Sequence, residues 1–252
     1  MRLSLLSLIP IALATPAVLL EPAEKPVYWL LAGDSITAPK LGWGNSFLNN
    51  TVPSGSFGHN FGHSGATTAS FRTSGDWGNV TANIGTHKNR FRVYVTMQFG
   101  HNDQKPDSGV SLQAYSTNLD NFAKEVVTAG GTPILVTPLT RRSFNSTTNR
   151  VIESLSKQRD ITISVANSGH YHFIDLNKAS TDYVNAIGSK EADKYNYIPS
   201  DHIDRTHLTK AGANVFSRMV ADLILTKYPK EFNGFIKRND TLSALIAAGK
   251  PA

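Results

Sequence analysis

Two short segments of the chain carry the side chains needed to activate a serine for nucleophilic attack. Ser35 lies in Gly33-Asp34-Ser35, and Asp204 and His207 form a D-x-x-H segment near the C-terminal end. A serine hydroxyl becomes a strong nucleophile when a histidine accepts its proton, and that histidine needs a carboxylate to fix its tautomer and offset its charge. These residue types indicate acyl-transfer chemistry.

Each of these residues also has a simpler interpretation. Ser35 could cap the N-terminus of a helix, which is a frequent role of serine between a strand and a helix. Asp201, His202, Asp204 and His207 are all possible metal ligands, and the segment could equally be a structural turn. No G-x-S-x-G sequence occurs in the chain, which disfavours an ordinary α/β-hydrolase. These residues alone therefore leave nucleophile, helix cap and metal site open.

Two other residues could stabilise the negative charge that forms on an ester oxygen during attack. Asn102 lies in residues 100–103, directly after a predicted strand, and its side-chain amide can donate a hydrogen bond. Gly65 lies in residues 60–66, where its backbone N–H could approach a substrate closely because it has no side chain. Both residue types also form turns, which is the simplest interpretation of each one taken separately.

Apolar runs predict the strands that must position these segments. Near-continuous apolar runs of this length are typical of parallel strands that are covered on both faces. The predicted strands are Val27–Ala32, Phe91–Phe99, Pro133–Thr137 and Tyr171–Asp175, with a weaker one at Phe57–Phe61. The candidate segments around Ser35, Gly65 and Asn102 each follow a predicted strand, so we expect them at one edge of a parallel sheet, where ligands bind in such folds.

Amphipathic helices alternate with these strands. One is predicted from Ser111 as N-cap to a stop at Gly130-Gly131, and another begins after Thr209. The apolar faces comprise Leu112, Tyr115, Leu119, Phe122 and Val126 in the first helix, and Phe216, Met219, Val220, Leu223 and Leu225 in the second. Alternating strands and helices predict an α/β domain, a three-layer α/β/α sandwich.

The candidate segments together resemble the four ordered blocks of the SGNH (GDSL-type) hydrolase superfamily, over about residues 27–228. Within it, the chain is most similar to the rhamnogalacturonan acetylesterase branch of carbohydrate esterases. The first resemblance rests on Gly33-Asp34-Ser35, Gly65, Gly100-x-Asn102-Asp103 and Asp204-x-x-His207. The second rests on Gly42-Trp43-Gly44, Asn60-x4-Gly65-x4-Ser70-Phe71, Gln98-Phe99-Gly100-His101-Asn102-Asp103, and Ile203-Asp204-x-Thr206-His207 followed by Ala211-Gly212-Ala213.

The resemblance implies roles for these residues. Ser35 would be the nucleophile, His207 its base and Asp204 the partner of that base, while the N–H groups of Ser35 and Gly65 and the Asn102 amide would form the oxyanion hole. It further implies a flavodoxin-like fold with a central parallel five-stranded sheet. The implied activity is that of a serine acetylesterase on acetylated rhamnogalacturonan, without cofactor or metal. The sequence departs from secreted fungal members, which often have disulfides, in having no cysteine, and in its short loop after Asp103.

Composition excludes several other classes of protein. The 252 residues are 40% hydrophobic and 17% charged, which is typical of a globular chain. The absence of cysteine excludes disulfides, thiolate metal sites and a cysteine nucleophile. The net charge is +6, but the basic residues are scattered, with the densest pairs at Arg141-Arg142 and Lys237-Arg238, so we expect no nucleic-acid partner.

The N-terminal residues have the pattern of a secretory signal peptide. Arg2 precedes an apolar run that is too short to span a membrane, and Ala12-Leu13-Ala14 offers a cleavage site. We expect residues 1–17 to be the signal peptide, 25–228 the catalytic domain and 229–252 a C-terminal extension. N-x-S/T sequons at Asn49, Asn79, Asn145 and Asn239 are glycosylation candidates. The expected mature protein is an extracellular monomer without a membrane anchor.

Other functions compete with this prediction. The substrate could instead be acetylated xylan or a broader range of small esters. A catalytically silent carbohydrate-binding protein could use the same scaffold, although it would not need both Ser35 and His207. A flavodoxin-like cofactor or phosphate binder would fit the strand and helix pattern, but no G-x-G-x-x-G or Walker segment opens a helix.

Overall fold

The computed structural model describes residues 24–252 of the chain. The predicted signal peptide, residues 1–17, lies outside this described part. Within residues 24–252, no helix has the length and apolar character needed to cross a membrane.

Strands and helices alternate along the described chain. The strands are β1 (Val27–Gly33), β2 (Phe57–Asn60), β3 (Arg92–Gln98), β4 (Thr132–Val136), β5 (Phe144–Asn145), β6 (Arg150–Val151), β7 (His172–Ile174), β8 (Asn196–Tyr197) and β9 (Asp204–Leu208). The helices are α1 (Gly44–Thr51), α2 (Thr68–Thr73), α3 (Asp76–His87), α4 (Leu112–Ala129), α5 (Ser156–Gly169), α6 (Leu176–Ala192), α7 (Lys210–Lys227), α8 (Pro229–Phe232) and α9 (Asp240–Ala247).

A five-stranded parallel sheet forms the centre of the domain, in the order β2-β1-β3-β4-β7. Its strands are the five predicted from the sequence, and their bounds differ from the predicted ones by at most one residue. The register pairs Gly33 at the end of β1 with Gln98 at the end of β3. The carboxyl ends of these strands therefore meet at one edge, as predicted, and the α/β fold class is confirmed.

The sheet separates two apolar layers because successive side chains of a strand point to opposite faces. On one face, Trp29 and Leu31 pack with α1, α6 and α7. On the other face, Leu30 and Ala32 pack with α2, α3, α4 and α5. Both faces of β1 are buried, which accounts for its continuous apolar sequence.

Side-chain caps fix the ends of the helices that the sequence predicts. Ser111 Oγ accepts a hydrogen bond from the Ala114 N–H at 3.1 Å, and α4 ends at Gly130 with a φ of 96°. Thr209 Oγ1 accepts a hydrogen bond from the Gly212 N–H at the start of α7, at 3.2 Å. These predicted helix boundaries are confirmed.

The segment before α7, which could have been a structural turn, forms a strand. Residues 204–208 form β9, which pairs antiparallel with β8 through Asn196 with Leu208 and Tyr197 with Asp204. Leu208 is 2% exposed and belongs to the core layer that contains Trp29. Its burial anchors the segment as an extended strand. The partner strand β8 has only two residues, too few for a sequence period to reveal.

The residues expected to form a C-terminal extension, 229–252, pack against the domain. Phe232 of α8 is fully buried and stacks on Trp29 with ring centroids 5.4 Å apart. The hydroxyl of Tyr195 donates a hydrogen bond to the backbone oxygen of Ala252 at 2.9 Å. Helix α8 is thus part of the same core layer as β1.

Candidate active site

The structure brings three of the candidate residues into one hydrogen-bonded chain. The Ser35 hydroxyl lies 2.8 Å from His207 Nε2, and His207 Nδ1 lies 2.6 Å from Asp204 Oδ2. An ionised Asp204 can only accept a hydrogen bond, so Nδ1 carries the imidazole proton and Nε2 is free to accept the proton of Ser35. The geometry is that of a nucleophile, a base and a carboxylate that orients the base.

Ser35 lies in a turn that directly follows β1. The backbone oxygen of Asp34 accepts a hydrogen bond from the Thr37 N–H at 3.1 Å, and its Oδ1 accepts one from the Ile36 N–H at 2.9 Å. Helix α1 begins well beyond this turn. The helix-cap interpretation of Ser35 is therefore wrong, because no helix begins directly after Ser35 and its hydroxyl bonds to the His207 imidazole.

Gly33 allows this turn to contact the end of β3. A Cβ at position 33 would clash with Thr37 Oγ1 and would lie 2.6 Å from the carbonyl oxygen of Gln98. The Asp34 N–H donates to the same carbonyl at 3.3 Å. The missing side chain thus lets Ser35 lie beside the residues that follow β3.

Asp204 is held in its charged form by several donors. Burial opposes its ionisation, but hydrogen bonds from the His207 ring and from the backbone N–H groups of Thr206 and His207 outweigh it, so the pKa of Asp204 is lowered. The two backbone bonds to Oδ1 are 2.9 Å and 3.1 Å long. The carboxylate can therefore orient the imidazole and offset the charge of an imidazolium at neutral pH.

The predicted oxyanion donors lie on neighbouring loops. Among the described residues, no acceptor pairs with the N–H of Ser35 or of Gly65. Gly65 is exposed, with a φ of 83°, and the space where a Cβ would lie is open. Two backbone N–H groups without internal partners, one of them on the nucleophilic residue itself, can bind a developing oxyanion.

Asn102 supplies the third candidate donor. It is 7% exposed, its Nδ2 donates to the Ala66 carbonyl at 3.0 Å, and its Oδ1 accepts a bond from Lys105 Nζ at 2.8 Å. Because an amide nitrogen carries two hydrogens, one remains for a substrate oxygen. The bond to Ala66 also fixes the Asn102 loop next to Gly65.

The residues that flank Asn102 hold this edge of the sheet together. Asp103 Oδ1 accepts bonds from the N–H and the hydroxyl of Thr68 at 2.8 Å and 2.6 Å, while burial raises the pKa of Asp103. His101 is 2% exposed, its Nε2 donates to the Leu139 carbonyl at 2.9 Å, and its Nδ1 lies 3.5 Å from Asp34 Oδ2. Burial lowers the pKa of His101 despite Asp34, so His101 is neutral at neutral pH.

The four possible metal ligands near the C-terminal end do not converge. Asp201 and His202 are exposed and bond to each other at 3.1 Å, whereas both ring nitrogens of His207 face Ser35 and Asp204. Over residues 24–252, no three His, Asp or Glu side chains come together as a metal-binding group. The geometry of these side chains favours the nucleophile interpretation.

Sequence reasoning missed two buried contacts behind the site. Trp43 Nε1 donates to Gln98 Oε1 at 2.6 Å and supports the end of β3 from the α1 side. Arg142, which the sequence showed only as half of a basic pair, is fully buried and bonds to the carbonyl of His207 at 3.0 Å. Both contacts join residues far apart in sequence, so no local pattern could reveal them.

Comparisons with known proteins found similar sequences of known class. A family model described as the GDSL-like lipase/acylhydrolase family matches residues 31–215. The chain is 28% identical to rhamnogalacturonan acetylesterase RhgT of Bacillus subtilis (strain 168) over 215 residues, which cover 79% of this chain and 90% of that protein.

Solved structures share the fold. The Bacillus subtilis protein YXIM has a TM-score of 0.65 at 21% identity, over 81% of this chain and 57% of that longer chain. Axe2, an acetylxylan esterase from Geobacillus stearothermophilus, has a TM-score of 0.57 at 18% identity, over 81% of this chain and 94% of that chain.

Proposed function

The chain belongs to the GDSL-like lipase/acylhydrolase family, and we propose that this carboxylic ester hydrolase removes O-acetyl groups from acetylated rhamnogalacturonan, a plant cell-wall polysaccharide. One observation supports the catalytic part above all others. The unbroken hydrogen-bonded chain from Ser35 through His207 to Asp204 lies beside backbone N–H groups that have no partner in the described residues. A binding protein would not need this combination.

Acylation uses the residues in a fixed order. Ser35 Oγ attacks the acetyl carbonyl carbon as its proton passes to His207 Nε2, and Asp204 stabilises the imidazolium that results. The N–H groups of Ser35 and Gly65 and the Asn102 amide stabilise the oxyanion. When the tetrahedral intermediate collapses, the bond to the sugar oxygen breaks and that oxygen takes the proton from His207.

Deacylation repeats these steps with water. His207 removes a proton from a water molecule, whose oxygen attacks the carbonyl of acetyl-Ser35. The intermediate then releases Ser35 Oγ, which recovers its proton from His207, and acetate leaves. No redox step or external donor is needed.

Two features support rhamnogalacturonan as the substrate. The similarity to the rhamnogalacturonan acetylesterase RhgT extends over 90% of that protein, beyond the catalytic segments alone. The net charge of +6 also suits a pectic polymer, because galacturonate carboxylates make such a polymer an anion.

Acetate release from a panel of polymers tests this substrate. Acetylated rhamnogalacturonan, homogalacturonan and xylan are compared with p-nitrophenyl acetate, with the Ser35→Ala variant as the blank. We expect the highest kcat/KM on rhamnogalacturonan. A preference for xylan would contradict the substrate and leave the esterase chemistry in place, whereas no acetate from any ester would contradict both.

We also propose that the protein is secreted, acts as a monomer and carries N-linked glycans. All four sequon asparagines are exposed: Asn49, Asn79, Asn145 and Asn239. Expression in a eukaryotic secretory host tests the secretion and the glycosylation. The secreted protein should lose residues through about position 17, and glycosidase treatment should lower its mass further. Retention of Met1 or an unchanged mass would contradict the corresponding part.

A further inference from the structure

A buried arginine lies behind the strand that carries the proposed acid–base residues. Arg142, in the connection after β4, is 0% exposed. Its Nη2 donates to the carbonyls of Thr206 and His207 at 2.7 Å and 3.0 Å. Nη1 donates to the Thr140 carbonyl at 3.1 Å, and Nε donates to Asn196 Oδ1 at 2.5 Å. One guanidinium thus joins the β4 connection, β8 and β9.

The guanidinium is charged, yet its hydrogen-bond acceptors are all neutral. Burial lowers the pKa of Arg142 to about 9, so the group remains protonated at neutral pH. Asn196 links Arg142 indirectly to a carboxylate, because the Asn196 Nδ2 donates to Asp193 Oδ1 at 2.8 Å. A buried cation without a directly bonded carboxylate is unfavourable for stability. A role beyond stability would account for its presence there.

We infer that Arg142 is a positioning residue of the hydrolase, holding the backbone of His207 so that the imidazole meets Ser35; this rests on the mechanism proposed above. The N–H of His207 bonds to Asp204 Oδ1 at 3.1 Å, and its carbonyl bonds to Arg142. Both peptide groups that flank the His207 Cα are therefore fixed. The backbone N–H of Arg142 adds a bond to the Arg205 carbonyl at 2.9 Å.

A planar guanidinium is required for this arrangement. The β8–β9 ribbon is not part of the central sheet, so its position depends on contacts such as these. The fork of an arginine reaches several carbonyls at once, whereas the single ammonium of a lysine does not. Reacting groups misplaced by about 1 Å can lower the rate by roughly 100-fold.

Three charged groups act on the Arg142 guanidinium without bonding to it directly. The charged groups that act on it are Asp204 and Asp193, which favour its cationic form, and Arg141, which opposes it. Asp193 is also bonded by Arg205 at 3.0 Å.

Arg142→Met and Arg142→Lys separate geometry from charge. We expect both variants to lose about 100-fold in kcat per active site on p-nitrophenyl acetate, with KM changed less than about twofold, because neither side chain can hold the paired carbonyls. Active sites are counted by the p-nitrophenol burst.

Arg218→Met is the matched control. Arg218 is 3% exposed, bonds to the Lys237 carbonyl at 2.6 Å and pairs with Asp222 at 2.8 Å. This variant should lose stability but keep kcat per active site. If Arg142→Met does not fold, Arg142→Gln replaces it with the same expectations.

Three results would overturn the inference: a kcat per active site within twofold of wild type in Arg142→Met, full recovery of kcat in Arg142→Lys, or an equal loss of kcat in Arg218→Met. Ser35→Ala tests the underlying mechanism independently. Full activity of Ser35→Ala would contradict the proposed function itself, whereas an inactive Ser35→Ala with a fully active Arg142→Met would contradict the positioning role alone.

Discussion

The hydroxyl of Ser35 is reactive only through its partner, since the 2.8 Å contact with His207 Nε2 provides the route for its proton. We therefore expect Ser35→Ala and His207→Ala each to lose roughly 10³-fold or more in kcat, and the double variant to lose little more, because the two residues act as a unit. Steady-state turnover of p-nitrophenyl acetate by folded variants measures this. Losses that simply multiply in the double variant would contradict a shared step.

Asn102 should matter mostly in the transition state, where charge collects on the ester oxygen. Asn102→Ala is expected to lower kcat by roughly 10²-fold and leave KM nearly unchanged. Because the Asn102 side chain also donates to the Ala66 carbonyl, thermal unfolding of the variant serves as the control for loop integrity. A tenfold higher KM with unaltered kcat would make Asn102 a ground-state contact instead.

For single residues, the sequence identifies candidate site residues where chemically suitable residue types occur in the order of a known family. Ser35, Asn102, Asp204 and His207 were candidates from residue type and position, and their roles as nucleophile, oxyanion donor, orienting carboxylate and base were implied by the resemblance to SGNH hydrolases. The role inferred for Arg142 was not predictable, because its partners Asn196 and His207 lie 54 and 65 positions away.

Among the elements, α6 begins at a carboxylate that also joins two other parts of the fold. Asp175 caps α6, accepts a bond from Thr137 Oγ1 at 3.0 Å after β4, and is bonded by Arg159 of α5. Burial raises the pKa of Asp175, but the hydrogen bonds from Arg159, the Lys178 N–H and Thr137 outweigh it, so this pKa is lowered. The folded state therefore favours the charged form.

The lowered pKa of Asp175 determines how the stability of the fold depends on pH. A carboxyl with a lowered pKa contributes stability that is present above its unfolded value, 3.8, and is lost as the pH falls through the folded value. At pH 7, Asp175→Ala should reduce the free energy of unfolding by about 2–3 kcal/mol, and Asp175→Asn, which can still cap, by less. Denaturant unfolding from pH 7 to 2 should show the difference from wild type shrinking below about pH 4.

Asp182→Asn is the control for that measurement. Asp182 pairs with Lys178 at 2.6 Å, but both side chains are 63% exposed. An exposed pair of this kind contributes little, so the variant should be close to wild type at every pH. Equal effects of the variants at positions 175 and 182, or a difference that does not depend on pH, would contradict the role given to Asp175.

Elements with a sustained periodic pattern, a continuous apolar run or a capping residue were predictable, and the two-residue strands were not. Helix α4 carries five apolar residues on one face between Ser111 and Gly130, and its bounds follow from these signals. The β8–β9 ribbon has no such pattern, because Asn196–Tyr197 is too short to alternate. Its conformation depends on the burial of Leu208, which only the tertiary structure determines.

For the molecule as a whole, the sequence predicted the three layers but not how the C-terminal residues pack against the core layer. The order of strands and helices was enough for a five-stranded parallel α/β/α domain, because parallel strands need helical crossovers. The packing of Phe232 on Trp29 was not predictable, since no periodicity links residues so far apart. Residues 229–236 contribute buried side chains to the core layer that supports β1.

The net charge of +6 leads to a prediction that no single residue carries. A positive surface should concentrate a polyanionic substrate near the site, and this attraction fades as the Debye length falls from about 10 Å at 0.1 M salt to about 3 Å at 1 M. We expect kcat/KM on acetylated rhamnogalacturonan to fall steadily with added NaCl, while turnover of neutral p-nitrophenyl acetate barely changes. The neutral ester is the internal control, because any salt effect on folding or on Ser35 chemistry would act on both substrates. Equal salt dependence for the two esters would show that charge plays no part in substrate capture, and an enzyme that prefers neutral acetylated xylan at every salt concentration would contradict the pectic substrate.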